Sequence, residues 1–192
     1  MRWTHVYALL ATVGVSVAEA AEPVQAANVV SQDRYLLLGD GTYFFTPERH
    51  ERARKKAAAE FRRKVSSRKI AEVVLLVGTP GAGKTTYVKR LAGRKPHTLF
   101  FDATLTTTKR RAPLIRAAQR VGKPIRIVWM DTPLALALSR NGRRPKGRRV
   151  PNGNVRAYYA EIHASPPRTA EGVRAVRVVG RKQTQPQPRP KR

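Results

Sequence analysis

The glycine-rich segment at residues 78–85 is the feature that most constrains how this chain can fold. It reads Gly-Thr-Pro-Gly-Ala-Gly-Lys-Thr, follows the apolar run 72–77 and precedes a stretch of helical character at 85–92. A loop of this kind wraps backbone N–H groups around a phosphate, and the N-terminus of the following helix adds positive potential. The sequence therefore predicts a phosphate-binding loop between a buried strand and a helix.

Two side chains of this loop have predicted chemical roles. Lys84 is placed to reach the β- and γ-phosphates of ATP, and the Thr85 hydroxyl is a ligand for Mg²⁺. The predicted nucleotide-binding residues are Gly78, Thr79, Pro80, Gly81, Ala82, Gly83, Lys84, Thr85 and Thr86. The expected cofactors are ATP and Mg²⁺.

A phosphate loop of this type needs a carboxylate near its metal, and only four acidic residues follow Gly78. Asp102 ends the second predicted strand, at the carboxyl edge where open α/β sheets bind ligands. It is a candidate to hold Mg²⁺ and to take a proton from an acceptor hydroxyl. We interpret Asp131, directly before a predicted helix, as local support for the helix entry, and we expect Glu161 and Glu171 to be solvated charges.

From residue 70 onward, predicted strands alternate with predicted helices. The strands are 72–77, 98–101, 124–130 and 173–179, and the helices are 85–92, 107–121, 133–140 and 155–162. Thr132 is the expected cap of the third of these helices, and Pro113 must lie near the first turn of the second or kink it. Strands separated by helices predict an α/β fold with a three-layer parallel sheet, as in P-loop NTPases.

The residues before 70 predict separate elements. Residues 1–20 resemble a secretory signal, but the positive region is weak, and 21–34 read as a linker. Two apolar runs around Gly39-Asp40-Gly41 predict a β-hairpin at 35–45. Thr46 then caps a helix that runs to about Ser66, with a narrow apolar stripe and a basic face. The stripe consists of Ala53, Ala57, Phe61 and Val65.

The predicted organisation has four parts: an N-terminal segment and linker at 1–34, a hairpin and basic helix at 35–69, the phosphate-loop domain at 70–180, and a basic tail at 181–192. No stretch is apolar and long enough to predict a membrane span. We expect a cytoplasmic protein, because ATP is scarce outside cells.

The net charge of the chain indicates which class of partner it binds. With 39 Lys and Arg against 12 Asp and Glu, the net charge is +27, which favours a polyanion such as nucleic acid, although a general excess of arginine is the alternative.

The chain has no cysteine and its four histidines are scattered, which excludes a disulfide frame and a Cys/His metal site. The basic segment 140–149 is either a solvated loop or a lid that closes over ATP.

Several short motifs resemble the polynucleotide kinase-like group of P-loop kinases, over about residues 72–180. They are Asp102-Ala-Thr-Leu105, Arg110-Arg111, Asp131-Thr-Pro133 and the Arg140-Asn141…Arg144…Arg148-Arg-Val-Pro151 segment. The resemblance implies an AAA-type ATP-binding domain that transfers the γ-phosphoryl group to a hydroxyl, with Lys84 and Thr85 in the phosphate loop. It also implies that Arg144 is the lid arginine that touches the transferring phosphate.

The chain departs from this group in one respect. Members usually have two strands and an acceptor-binding helical stretch between the phosphate-loop helix and the Asp-x-Thr-Leu strand, whereas residues 93–97 alone separate them here. The residue that serves as general base in that group therefore has no separate counterpart in this chain. Asp102 is a candidate both to hold Mg²⁺ and to act as the general base. The N-terminal hairpin and basic helix are candidates to replace the missing acceptor wall.

The sequence thus predicts a compact kinase that transfers phosphate from Mg-ATP to a hydroxyl, plausibly a nucleic acid 5′-hydroxyl. One alternative is a kinase for a small molecule. Another is an ATP-binding or ATP-hydrolysing module of a nucleic-acid-associated protein without transfer activity.

Overall fold

The structure, a computed structural model, describes residues 26–39, 42 and 46–180. The predicted signal-like segment at 1–20 and the basic tail at 181–192 lie outside these residues. Among the helices that are described, none is long and apolar enough to cross a membrane.

Five strands form one parallel sheet in the order β1-β3-β2-β4-β5. The strands are β1 (Val29–Ser31), β2 (Glu72–Val77), β3 (Thr98–Asp102), β4 (Ile125–Met130) and β5 (Ala175–Val179). The α/β prediction is confirmed. The predicted bounds of β2 match those observed, and those of β3 and β4 differ by one residue.

In the part of the chain that the structure describes, five α-helices connect or flank these strands. They are α1 (Pro47–Val65), α2 (Lys84–Ala92), α3 (Thr108–Arg120), α4 (Leu134–Gly142) and α5 (Asn152–Ala164). Pro113 is the sixth residue of α3, just beyond its first turn, where a proline cannot donate to the carbonyl four residues earlier.

The helices cover both faces of the sheet. Alternate side chains of β2 point to opposite faces, so that Val73, Leu75 and Val77 pack with α1 and α3 whereas Val74 and Leu76 pack with α2. On the first face, the rings of Phe61 and Phe101 meet edge to face at 5.4 Å between centroids. Burial on both faces explains why β2 is continuously apolar rather than alternating in sequence.

Strand β1 corrects the prediction of a linker at 21–34. Val29 and Val30 are buried, and β1 pairs in parallel with β3, with Ser31 opposite Asp102. The side-chain amide of Asn28 donates to the carbonyls of Lys95 and Thr98, which fixes the start of β1 against the turn before β3. Three residues give too short a pattern to be recognised from sequence, and pairing with β3 supplies the stability.

The predicted hairpin is only partly described. The Leu38 N–H donates to the Thr42 carbonyl at 2.8 Å, so the chain reverses near the predicted turn. Tyr35, however, lies in a single 3₁₀ turn (Asp33–Tyr35) rather than in a strand. Residues 40, 41 and 43–45 of the predicted hairpin lie outside the described residues.

Helix α1 agrees with its prediction. The Thr46 hydroxyl accepts a hydrogen bond from the Arg49 N–H and caps the helix, which ends at Val65. The four stripe residues Ala53, Ala57, Phe61 and Val65 are all buried, and the remaining surface carries many cations.

Candidate active site

The phosphate loop joins β2 to α2, and glycine is required at its centre. Gly81 has φ +83°, and a Cβ atom there would lie 2.2 Å from the Ala137 carbonyl oxygen of α4. Gly83, with φ +95°, is the N-cap of α2. The Thr132 hydroxyl donates to the Ala82 carbonyl at 3.0 Å. The loop is therefore packed against α4 and tied to the end of β4.

This last contact corrects the prediction that Thr132 caps α4. The N-cap of α4 is Pro133, which has no side-chain hydrogen bond to give. Thr132 is buried and its hydroxyl is directed to the phosphate loop instead.

Lys84 lies within the curve of the loop. Its Nζ donates to the carbonyls of Gly78 and Thr79, at 2.7 and 3.0 Å. Burial lowers the pKa of Lys84, and the negative charges of Asp102 and Asp33 oppose that shift. The Lys84 ammonium is thus held only by neutral carbonyl acceptors. It is available to an anionic acceptor, which would bind it more strongly.

Thr85 and Asp102 meet beside Lys84. The Thr85 hydroxyl donates to Asp102 Oδ2 at 2.8 Å, because β3 is the neighbour of β2 in the sheet and ends at Asp102. Asp102 is only 5% exposed, and burial raises its pKa while the charge of Lys84 lowers it. A hydroxyl and a buried carboxylate form an all-oxygen donor pair, which suits a hard cation such as Mg²⁺.

These groups line one cavity of about 920 Å³. Of the predicted nucleotide-binding residues, those from Pro80 to Thr86 line it, whereas Gly78 and Thr79 contribute carbonyls that hold Lys84. The predicted lid residue Arg144 lines the cavity together with other cations, namely Arg90, Lys95, Arg140, Arg148, Arg149 and Arg177. The cavity is therefore strongly cationic and suited to a polyphosphate.

The basic segment 140–149 is closed at its base. The Asn141 side chain donates to the Val150 carbonyl at 2.7 Å, and its Oδ1 accepts from the Val150 N–H at 3.1 Å. Asn141 is 1% exposed, so this reciprocal contact is protected from water. The segment leaves and re-enters the domain at one fixed point beside the cavity.

Two further cavity residues come from the N-terminal part of the chain, which the sequence suggested as a replacement acceptor wall without indicating particular site residues. Asp33 follows β1, the Gln32 N–H donates to the Asp102 carbonyl at 3.3 Å, and the charge of Asp33 raises the pKa of Asp102. His50, in the first turn of α1, lines the same cavity. No local signal marks either residue, because Asp33 reaches the site when β1 pairs with β3 and His50 reaches it when α1 packs on the sheet and α3.

Of the three remaining carboxylates, Glu161 and Glu171 differ from their predictions as solvated charges, and Asp131 has a contact that was not predicted. Asp131 is buried, and its Oδ1 lies 3.0 Å from His163 Nε2 on α5, so it contacts a different helix from the one it precedes. Glu171 is not solvated but forms a buried, two-contact ion pair with Arg111, at 2.7 Å for each contact. Glu161 is half-buried, and its Oε2 has no hydrogen-bond partner among the described residues.

The Arg111–Glu171 ion pair supports the loop that follows Asp102. Arg111 is fully buried and also donates to the Leu105 carbonyl at 3.1 Å. Leu105 has φ +47°, the one positive value for a non-glycine residue in the described chain. This conformation is costly for a leucine, so the arginine stabilises a loop that would otherwise relax.

The five-stranded parallel sheet with its flanking helices and this site are together consistent with a P-loop NTPase fold. A protein-family model described as "AAA domain" matches residues 92–165, which is less than half of the chain. The matched segment begins at the end of α2 and includes Asp102 and Arg144. It supports a nucleotide-binding domain of the kinase-like type in general and does not single out the polynucleotide kinase-like group. No curated protein matches the chain.

Proposed function

We propose that this protein is a kinase that transfers the γ-phosphoryl group of Mg-ATP to a hydroxyl, plausibly the 5′-hydroxyl of a nucleic acid. The observation that carries the proposal is that one cationic cavity contains the phosphate loop, the Thr85–Asp102 contact and a second carboxylate, Asp33. A nucleotide-binding loop alone does not need that second acid.

The proposed nucleotide contacts follow from the geometry. Lys84 Nζ, which donates to the Gly78 and Thr79 carbonyls, would bind the β- and γ-phosphates, and the N–H groups at the start of α2 would add positive potential there. Thr85 and Asp102 would hold Mg²⁺, which supplies charge neutralisation when bound. Arg144 would stabilise charge that develops on the transferring group, and its place in the lining of the cavity supports this role.

We propose that Asp102 and Asp33 have separate roles, metal binding and proton removal, both of which the sequence predicted for Asp102 alone. Asp102 is buried and engaged with Thr85, which suits a metal ligand. Asp33 is exposed in the cavity and has no such contact with the phosphate loop. It is therefore the better candidate to accept the proton of the acceptor hydroxyl.

Nucleic acid is the favoured acceptor because of charge. The net charge is +27, and α1, which begins at the cavity, exposes a row of cations. They include Arg52, Arg54, Lys55, Lys56, Arg62 and Arg63. An anionic strand that leaves the cavity along α1 would meet more cations than acids.

The deciding experiment uses ATP labelled at the γ-phosphate and a panel of acceptors: 5′-hydroxyl oligonucleotides, nucleosides and sugars. Label at an oligonucleotide 5′ end is the expected result. Label on a small molecule alone would indicate a small-molecule kinase, and label only in free phosphate would indicate an ATPase module and contradict the proposal.

A further inference from the structure

We propose that this protein has a second ligand site, on the face of the sheet beneath α2, which binds a small apolar carboxylate and thereby lowers the affinity for the nucleotide. The site is a cavity of about 200 Å³, which we call the α2 cavity. It is distinct from the larger cavity at the phosphate loop, the nucleotide cavity. Such a site would exist whether or not the protein transfers phosphate.

The floor of the α2 cavity is one cross-strand row of the sheet. Phe100 pairs in register with Val74, and Val74 with Arg126. Arg126 in turn pairs with Ala175 on the edge strand β5. On β3 this row lies two residues before Asp102, which is roughly 7 Å from the carboxyl edge of the sheet. The α2 cavity therefore lies on the sheet face, away from the edge that carries the phosphate loop.

The α2 cavity exists because α2 covers only part of this face. Val88 and Ala92 are buried against the sheet. Tyr87 and Leu91, one turn apart on the neighbouring side of the helix, are only half-buried and line the cavity. Ala175, at the outer end of the row, has too small a side chain to fill the space beside them.

The size and the floor of the α2 cavity limit the ligand. Cavities for drug-sized ligands have about 300–1,000 Å³, so this smaller space fits a short chain or a single ring. Its floor includes the apolar side chains of Val74, Phe100 and Val128. An apolar space of this kind binds apolar groups in preference to water.

The charges around the floor select an anion. Three cations line the α2 cavity, with no acid among the described lining residues. Lys95 and Arg177 are exposed and form no ion pair with any residue that the structure describes. Arg126, the third cation, is paired with Glu72. An apolar floor beside two unpaired cations suits a ligand with an apolar body and one carboxylate, which a guanidinium can bind through two contacts.

Four residues connect the α2 cavity to the nucleotide cavity, because they line both: Tyr87, Leu91, Lys95 and Arg177. A carboxylate bound at Lys95 and Arg177 would neutralise charge that otherwise attracts the phosphates of the nucleotide. Occupation of the α2 cavity should therefore lower the affinity for ATP. By thermodynamic linkage, ATP should lower the affinity for the carboxylate by the same factor.

The test follows binding of octanoate to the full, isotope-labelled chain by chemical-shift titration at fixed salt and without nucleotide. Octanol and octylamine are the neutral and cationic controls with the same apolar chain. Octanoate should bind most tightly and octylamine least, with the largest shifts at the amides around Leu91 and Ala175. Each CH₂ group removed from octanoate should weaken binding by up to about fourfold.

Two arginines of the same region provide a matched pair of variants. Arg126→Ala removes a cation of the cavity and leaves the Glu72 carboxylate unpaired beside it, so octanoate should bind about tenfold more weakly. Arg174→Ala removes an exposed arginine that lines neither cavity and should have little effect. Ala175→Leu, which fills the space from the edge strand, should remove binding of octanoate and of octanol.

The site would be overturned if the parent does not bind octanoate, if octanoate and octylamine bind equally, or if the two arginine substitutions have equal effects. For the coupling, saturating octanoate should raise the Kd of ATP by a limited factor that reaches a plateau. An unchanged Kd would contradict the coupling, and a Kd that rises without limit would mean that the two ligands compete for one site. Since these are binding measurements, absence of label transfer would contradict only the proposed function.

Discussion

The Thr85 hydroxyl lies 2.8 Å from Asp102 Oδ2, although the two residues belong to different elements and are 17 positions apart. The contact exists because β3 lies beside β2 and ends level with the phosphate loop. It joins the loop that binds phosphate to the carboxylate at the sheet edge.

Replacing Lys84 should abolish nucleotide-dependent activity without unfolding the protein. In Lys84→Ala the charge directed at the β- and γ-phosphates is lost, whereas the apolar core is untouched. ATP turnover and circular dichroism are the measurements. Lys89→Ala, an exposed lysine of the same helix, is the matched control and should behave as the parent does. A folded Lys84→Ala variant with parental turnover would show that the loop is only a structural turn.

The two cavity carboxylates should have separable effects. Asp102→Asn should slow ATP hydrolysis and phosphoryl transfer together, because metal positioning is common to both reactions. Asp33→Asn should reduce transfer by about 10²- to 10⁴-fold while changing hydrolysis much less, since only transfer needs proton removal from the acceptor. Single-turnover assays of both reactions check this. If Asp102→Asn reduces transfer far more than hydrolysis and Asp33→Asn changes neither, Asp102 has both roles.

Gly81→Ala should destabilise the protein by more than about 1 kcal/mol. The new Cβ would lie 2.2 Å from the Ala137 carbonyl oxygen, and the φ of +83° is itself costly for alanine. Gly93→Ala is a close control, because that residue has φ −67° and nothing within 4 Å of the added Cβ. Urea unfolding should show Gly93→Ala to be neutral or slightly stabilised. Equal midpoints for the two variants would contradict the close packing of the loop on α4.

Glu171→Gln should cost about 3–5 kcal/mol of folding free energy, because it leaves the fully buried Arg111 guanidinium without its counter-charge. Glu51→Gln, which removes the acid of an exposed ion pair with Arg54, should cost less than about 1 kcal/mol. Chemical unfolding of both variants measures the difference. A small effect of Glu171→Gln would mean that the ion pair does not stabilise the loop at Leu105.

Nucleic acid binding should be weak and should fall steeply with salt, as counterion release requires for a chain of net charge +27. Removing residues 181–192, which include five cations, should reduce the slope of log affinity against log salt. Fluorescence anisotropy with a labelled oligonucleotide measures both quantities. Binding that does not vary with salt, or an unchanged slope after truncation, would argue against an electrostatic partner.

Much of this site could be predicted from short stretches of sequence. The strand Glu72–Val77, the glycine loop and helix α2 are consecutive, and each has a local pattern that needs no distant partner to be recognised. The apolar stripe of α1 and the Thr46 cap are local in the same way. Asp102 could be placed at the sheet edge because the end of a buried strand fixes where the next side chain lies.

Tertiary structure alone decided the rest. Strand β1 has three residues and is stable only because it pairs with β3, about 70 positions further along the chain, and that pairing brings Asp33 to the cavity. Glu171 has the sequence context of a solvated loop residue until Arg111, 60 positions away, is buried against it. A local sequence pattern indicates which backbone conformation a segment prefers and which of its side chains are buried. The partner of a side chain elsewhere in the fold depends instead on which strands pair and which helices cover them.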